Sequence, residues 1–173
     1  MGHIITFAGH TPSIAESVFV APTASIIGNA GLGENSSAFY GVCVRADTES
    51  ITVGEGTNLQ DNVVLHADPG FPTTVGDRVS IGHSAVVHGC AIGNDCLIGM
   101  SATVMNGANI GEGSLVAAGA VVLEGTQIPP RSLVAGVPAR VRRELSDEEL
   151  EGVKQNAARY QELAAAHRTT LEK

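Results

Sequence analysis

The sequence contains no tryptophan, and aromatic residues of all kinds make up only 3% of its 173 positions. A core that draws its buried area from large rings is therefore excluded. Cysteine is scarce: Cys43, Cys90 and Cys96 cannot all pair within one chain, and no CxxC occurs. Neither a disulfide framework nor a cysteine-ligated zinc site is expected. Basic residues are few, with Lys plus Arg 10 against Asp plus Glu 18 and a net charge of −8. Nucleic acid is not the expected partner, because phosphate contacts need a basic footprint. No apolar run approaches the roughly 18 residues that span a bilayer. The opening MGHIITFAGHTPSIAES lacks a basic segment followed by a long apolar stretch. No membrane association and no secretory signal are expected, and the expected setting is cytoplasmic.

Glycine, by contrast, occurs 21 times, well above the usual ~7%. A core of small and aliphatic residues with much glycine suggests a narrow, repetitive interior. Aliphatic residues do recur every six positions. One register runs Val20, Ile26, Leu32, Ala38, Val44. After three extra residues it continues Val53, Leu59, Leu65, and after four more Val75, Ile81, Val87. With one residue skipped it resumes as Ile92, Ile98, Val104, Ile110, Val116, Val122, Ile128, Val134. Four positions after the aliphatic the residue is nearly always small, as at Ala24, Ala85, Cys96 or Ala102. The next position after the aliphatic is often glycine, as at Gly33, Gly54, Gly82 and Gly99. An amphipathic helix would repeat at 3.6 and a plain strand at 2.

A six-residue period reads as a parallel β-helix, a mainly β fold in which each hexad is one short strand and a bend. Three hexads make a triangular coil of about 18 residues, and coils stack at roughly 4.8 Å. The aliphatic points inward, the small residue fits the corner, and glycine eases the backbone beside it. Six coils and a remainder give a prism about 30 Å long at that spacing. The repeat domain covers 1–145, and 146–173 forms a C-terminal α-helix. Ser146 and Glu149 have capping-box spacing, and acidic residues fill the first turn. The helix is expected over 147–170, with a stripe of Leu150, Val153, Ala157 and Tyr160 or Leu163 against the prism or a neighbouring subunit.

Sorting the hexads by face isolates the histidines. Ile26, Val44, Leu65, Val87, Val104 and Val122 share one face, so His66 and His88 occupy the same slot in successive coils, with Arg45 one coil earlier. At ~4.8 Å spacing two imidazoles can both reach one metal. Spacing alone leaves two readings open, polar cover or a metal site. The nearby Arg45, Asp47, Asn58, Gln60 and Asp61 favour the second. His83 falls two residues after Ile81 on a different face, with Asp61 in the same slot one coil earlier. If all three histidines serve one metal, two chains must meet, and a closed threefold assembly would satisfy this. His3, His10 and His167 are assigned no role. Cys90 and Cys96 are read as small packing residues.

In the stretches VRADT, NLQDNVVLHAD, VSIGHSAVVHGC, IGMSATVMNGANIG and PPRSLVAGVPARVRRELSDEE the chain resembles the γ-class carbonic anhydrases, within the left-handed β-helix, hexapeptide-repeat superfamily. The resemblance implies zinc on His66 and His88 of one subunit and His83 of the next in a homotrimer, and imidazole ligands suit Fe²⁺ or Co²⁺ as well. It implies reversible hydration of CO₂ to bicarbonate by metal-bound hydroxide. Arg45 and Asp47 match a family segment at the interface and substrate pocket. Asn58, Gln60 and Asp61 match residues beside the metal-bound water, and Tyr160 resembles a tyrosine that approaches the site. The chain departs from the family at two points. Thr48 follows Asp47 where fast members carry glutamate, and the loop Ala67–Pro72 has no glutamate. That implies slow proton export unless Glu49, Asp68 or buffer substitutes. The alternatives are a hexapeptide-repeat acyltransferase, an acyl-CoA thioesterase, or a weakly active or non-catalytic metal-bearing trimer.

Overall fold

The structure, a computed structural model, describes residues 2–171. It is mainly β, a parallel β-solenoid of about seven turns with one C-terminal helix. The three inward columns are those the hexads define. The first face stacks Ile4, Ile26, Val44, Leu65, Val87, Val104 and Val122 in register. The second stacks Val20, Ala38, Leu59, Ile81, Ile98, Val116 and Val134. The third stacks Ile14, Leu32, Val53, Val75, Ile92, Ile110 and Ile128. The stack begins two inward residues, Ile4 and Ile14, before the six-residue register does, which completes the seventh turn. Ile4 and Ile14 belong to a first coil whose period is broken by a small excursion, closed where Phe7 and His10 bridge.

From Ile26 onward the column residues lose nearly all their exposure, with Ile81, Ile98, Val116 and Leu65 all at 0%, whereas Ile4, Ile14 and Val20 at the open first coil stay partly buried. Burial of such a side chain contributes roughly 1.5–3 kcal/mol. With no wide core to fill, small aliphatic side chains suffice, which explains the low aromatic content.

Glycine plays a different part from the one expected. The left-handed turn lies three residues after most inward aliphatics, as at Asn62 (φ 60°) and Gly107 (φ 69°). The glycines directly after the aliphatic are there for close approach. A Cβ on Gly99 would meet Ala118 N at 2.4 Å and Ala117 C at 2.7 Å in the next coil.

At the far end the chain reverses. Ser132–Ala135 pairs antiparallel with Arg140–Glu144, an ending that the hexad pattern does not foretell. Helix α1 (Asp147–Leu171) follows. Its capping box is reciprocal: Glu149 N donates to Ser146 Oγ at 3.2 Å, and Ser146 N donates to Glu149 Oε2 at 2.9 Å. The helix runs back along the second face of its own prism, burying Val153, Ala157 and Ala164. Tyr160 continues this line, whereas Leu163 points outward at 37% exposure. His167 joins the same seam, stacking near Phe19 and Phe39 while its Nδ1 lies 3.0 Å from Tyr40 Oη. None of the described helices is long and apolar enough to cross a membrane.

Candidate metal centre

The stacking register places the histidines. Strands Val64–His66 and Val86–His88 pair so that His88 lies directly over His66, with Arg45 opposite His66 on the other side. The strand alternation that turns Leu65 and Val87 inward turns both imidazoles outward at one corner. His66 Nδ1 and His88 Nε2 face each other at 2.8 Å.

Their outer nitrogens are engaged by acceptors. His66 Nε2 lies 3.0 Å from Asp47 Oδ1. A carboxylate only accepts, so the His66 proton sits on Nε2. Burial raises the Asp47 carboxyl, but hydrogen bonds from Arg45 and His66 outweigh it and hold the group below the usual carboxylate range. His88 Nδ1 lies 2.7 Å from Asn106 Oδ1, and Asn106 Nδ2 donates to Asp68 Oδ2 at 2.9 Å. Asp68 thereby fixes the amide orientation, and the amide places the His88 proton on Nδ1. Both inward nitrogens are left with lone pairs 2.8 Å apart. Two facing lone pairs repel unless a proton or a metal cation lies against both, and two neutral imidazoles so turned form a donor set that a divalent metal fits.

Other groups brace this corner. Thr73, fully buried, donates to His66 O at 2.6 Å and accepts from Gly89 N at 2.8 Å. Thr48 donates to Ala67 O at 2.5 Å, tying the segment after His66 to the Asp47 strand. Arg45 Nη1 donates to Asp47 Oδ2 at 2.5 Å. Of Glu49 and Asp68, the two acidic residues near the positions where fast members carry glutamate, only Asp68 reaches the histidines. Glu49 instead accepts from Ser50 N at 3.0 Å and Gly70 N at 3.4 Å.

The remaining site candidates gather elsewhere, under and beside helix α1. His83 sits in the turn between the second and first faces, across the first face from His66 and His88. Its Nδ1 lies 2.9 Å from Asp61 Oδ2 and its Nε2 3.4 Å from Tyr160 Oη. Burial, then the Asp61 charge, raises the Tyr160 phenol above its ordinary value. Gln60 and Asn58 are buried at 6% and 1%. Gln60 Nε2 donates to Asn58 Oδ1 at 3.1 Å, and Asn58 Nδ2 donates to Ser80 Oγ at 2.9 Å.

One chain thus carries two separate polar clusters. The structure brings together Arg45, Asp47, His66 and His88, and separately Asn58, Gln60, Asp61, His83 and Tyr160. Asn106 and Thr73 escaped the sequence reading. Asn106 had a signal: it stands in the slot that stacks over Gly89, beside His88. Thr73 had none, since it enters from the strand after an irregular loop.

Residues 89–124 match the family "Bacterial transferase hexapeptide (six repeats)" and residues 72–100 match "Hexapeptide repeat of succinyl-transferase". A Methanocaldococcus jannaschii protein named "Probable carbonic anhydrase" is 56% identical over 87% of this chain and 95% of its own length. "Gamma carbonic anhydrase 2, mitochondrial" of Arabidopsis thaliana is 41% identical over 91% of this chain, which spans 59% of that protein. A solved hexapeptide transferase family protein from Anaplasma phagocytophilum superposes with a TM-score of 0.92 at 38% identity, covering 95% of this chain and 97% of that one.

Proposed function

The chain belongs to the γ-class carbonic anhydrases of the hexapeptide-repeat superfamily, and from that premise we propose that it interconverts CO₂ and bicarbonate at a metal shared between subunits of a homotrimer. In this reading His66 Nδ1 and His88 Nε2 are ligands from one subunit, and His83 Nε2 is the ligand from its neighbour. The observation that carries it is the approach of His66 Nδ1 to His88 Nε2 at 2.8 Å, with both outer nitrogens held by acceptors. Zinc is the metal we propose, although imidazole suits Fe²⁺ and Co²⁺ as well. When bound, such an ion lowers the pKa of a coordinated water to about 7 and so supplies a nucleophile for CO₂ at neutral pH.

The chain's own residues do the positioning. Asp47 holds the His66 ring and is itself held by Arg45. Asp61 accepts from His83 Nδ1, leaving Nε2 as the donor atom. Tyr160 Oη, close to that atom, steadies the ring until a neighbour's half-site arrives. Gln60, its amide fixed by Asn58, is the polar group we assign to orient the substrate at the subunit junction. Asn58 acts through Gln60 and is a positioning residue.

Co-assembly tests the shared site. His66→Ala and His83→Ala chains, each inactive alone in a CO₂ hydration assay, should regain part of the wild-type rate once refolded together. A His66→Ala chain still offers His83, and a His83→Ala chain still offers His66 and His88. No recovery in verified mixed trimers would refute the arrangement. The same preparations assayed with acyl-CoA separate hydration from acyl transfer or thioester hydrolysis, the chemistry suggested by the transferase fold relative.

A further inference from the structure

The half-site around His66 contains a third donor that the shared-site reading does not use. Asp68, His66 and His88 each offer one ligand atom, and these atoms all lie within 4.8 Å of one another. Asp68 Oδ1 is 4.0 Å from His88 Nε2, the nitrogen that faces His66. The carboxylate is held there through its other oxygen, which accepts from Asn106 Nδ2 at 2.9 Å. The opposite end of the same amide accepts from His88 Nδ1 at 2.7 Å.

A single side chain therefore orients two donors at once. It sets the His88 tautomer and turns Asp68 toward the histidines. The backbone is shaped to admit it: a Cβ on Gly89 would stand 2.1 Å from Asn106 Oδ1. The loop carrying Asp68 is closed by the bridge between Asp68 and Phe71, so the carboxylate rides on a fixed turn.

We propose that His66, His88 and Asp68 form a two-histidine, one-carboxylate site that takes up a divalent cation within one chain, before or without a neighbour's His83, and that Asn106 is its positioning residue. Neutral imidazoles and a carboxylate suit zinc, ferrous iron and cobalt, and leave further coordination positions open. Loading then precedes assembly. The metal sits on one subunit, and the incoming His83 completes the set rather than creating it.

The inference rests on the reading of His66 and His88 as ligands, and the test separates the two. Chelator-stripped full-length chain is titrated with Zn²⁺ against a chromophoric chelator. The variants are His83→Ala, His83→Ala/Asp68→Asn and His83→Ala/Asn106→Leu, with oligomeric state and thermal melting recorded for each. His83→Ala should still take up about one zinc per chain. Asp68→Asn in that background should weaken binding at least ~100-fold, and Asn106→Leu roughly 10–100-fold. Cobalt substitution gives an independent signal, since loss of a carboxylate ligand changes the visible Co²⁺ spectrum of His83→Ala. Asp68 is half exposed, so its replacement leaves folding intact, and Asp68→Ala serves as a second variant. If folded His83→Ala takes up no zinc, or if Asp68→Asn leaves its affinity within about twofold, the inference is overturned. If wild type itself takes up none, the metal reading as a whole fails.

Discussion

Replacement of Asn106 by leucine probes the metal centre without touching a ligand. The two side chains have the same number of heavy atoms and the same branching, and Asn106 is only partly buried, so the change leaves no cavity and the bulkier methyl groups have room. It removes the acceptor 2.7 Å from His88 Nδ1 and the donor 2.9 Å from Asp68 Oδ2. His88 then loses the partner that keeps its proton on Nδ1. The tautomer with the proton on Nε2, which cannot bind metal through that atom, becomes accessible. Partners of this kind are worth 10–100-fold in metal affinity, or about 1.4–2.7 kcal/mol. The expected outcome is a zinc affinity lowered by that factor in a chelator competition at neutral pH. Thermal melting of the metal-free protein should stay close to wild type, because Asn106 lies outside the aliphatic columns. An affinity within about twofold of wild type, with melting unchanged, would refute the tautomer argument. A large drop in the metal-free melting temperature would instead make Asn106 a folding residue.

Three further outcomes follow from the geometry. Glu149 is held down to about 2 by Arg143 and then by the Ser146 backbone; its folded value is below its unfolded one, so its contribution to helix docking is full above about 4.5 and fades as pH falls toward about 2. Circular dichroism should show that acid transition flatten in Glu149→Gln. Burial pushes the Cys90 and Cys96 thiols up to about 12, so iodoacetamide on the native protein should modify Cys43 alone, with all three reacting after denaturation; mass spectrometry reads the result. Gly99→Ala should lower the melting temperature sharply, because its Cβ meets backbone of the next coil at 2.4 Å rather than a movable side chain. A wild-type melt would mean that the coils are further apart than described.

The path from sequence to structure was direct wherever the argument was periodic. A six-residue repeat has one economical solution for its inward residues, and it set which residue stacks on which. The alignment of Arg45, His66 and His88 in one column, and of Asp61 beside His83, followed from counting alone. The Ser146 and Glu149 pair likewise announced the start of the helix, since a capping box is a local exchange of hydrogen bonds.

Other features could not be counted. The register of the first coil was hidden by the excursion around Phe7 and His10. The left-handed turns fell at Asn62 and Arg78 as well as at glycines, so composition misassigned what the glycines do. The antiparallel return of Arg140–Glu144 and the choice of Ala164 over Leu163 on the buried side of the helix depend on what the prism presents at its end and second face. Asp68 and Asn106 are 38 positions apart in sequence and belong to different coils, and no repeat links a loop insertion to a later hexad. The sequence by itself determined the coil, its columns and the residues along each corner, because strand alternation and stacking act on fixed periods. Only the tertiary structure decided which proton sits on which nitrogen, and hence which lone pairs meet. Those depend on side chains that come into contact only after the coils have stacked.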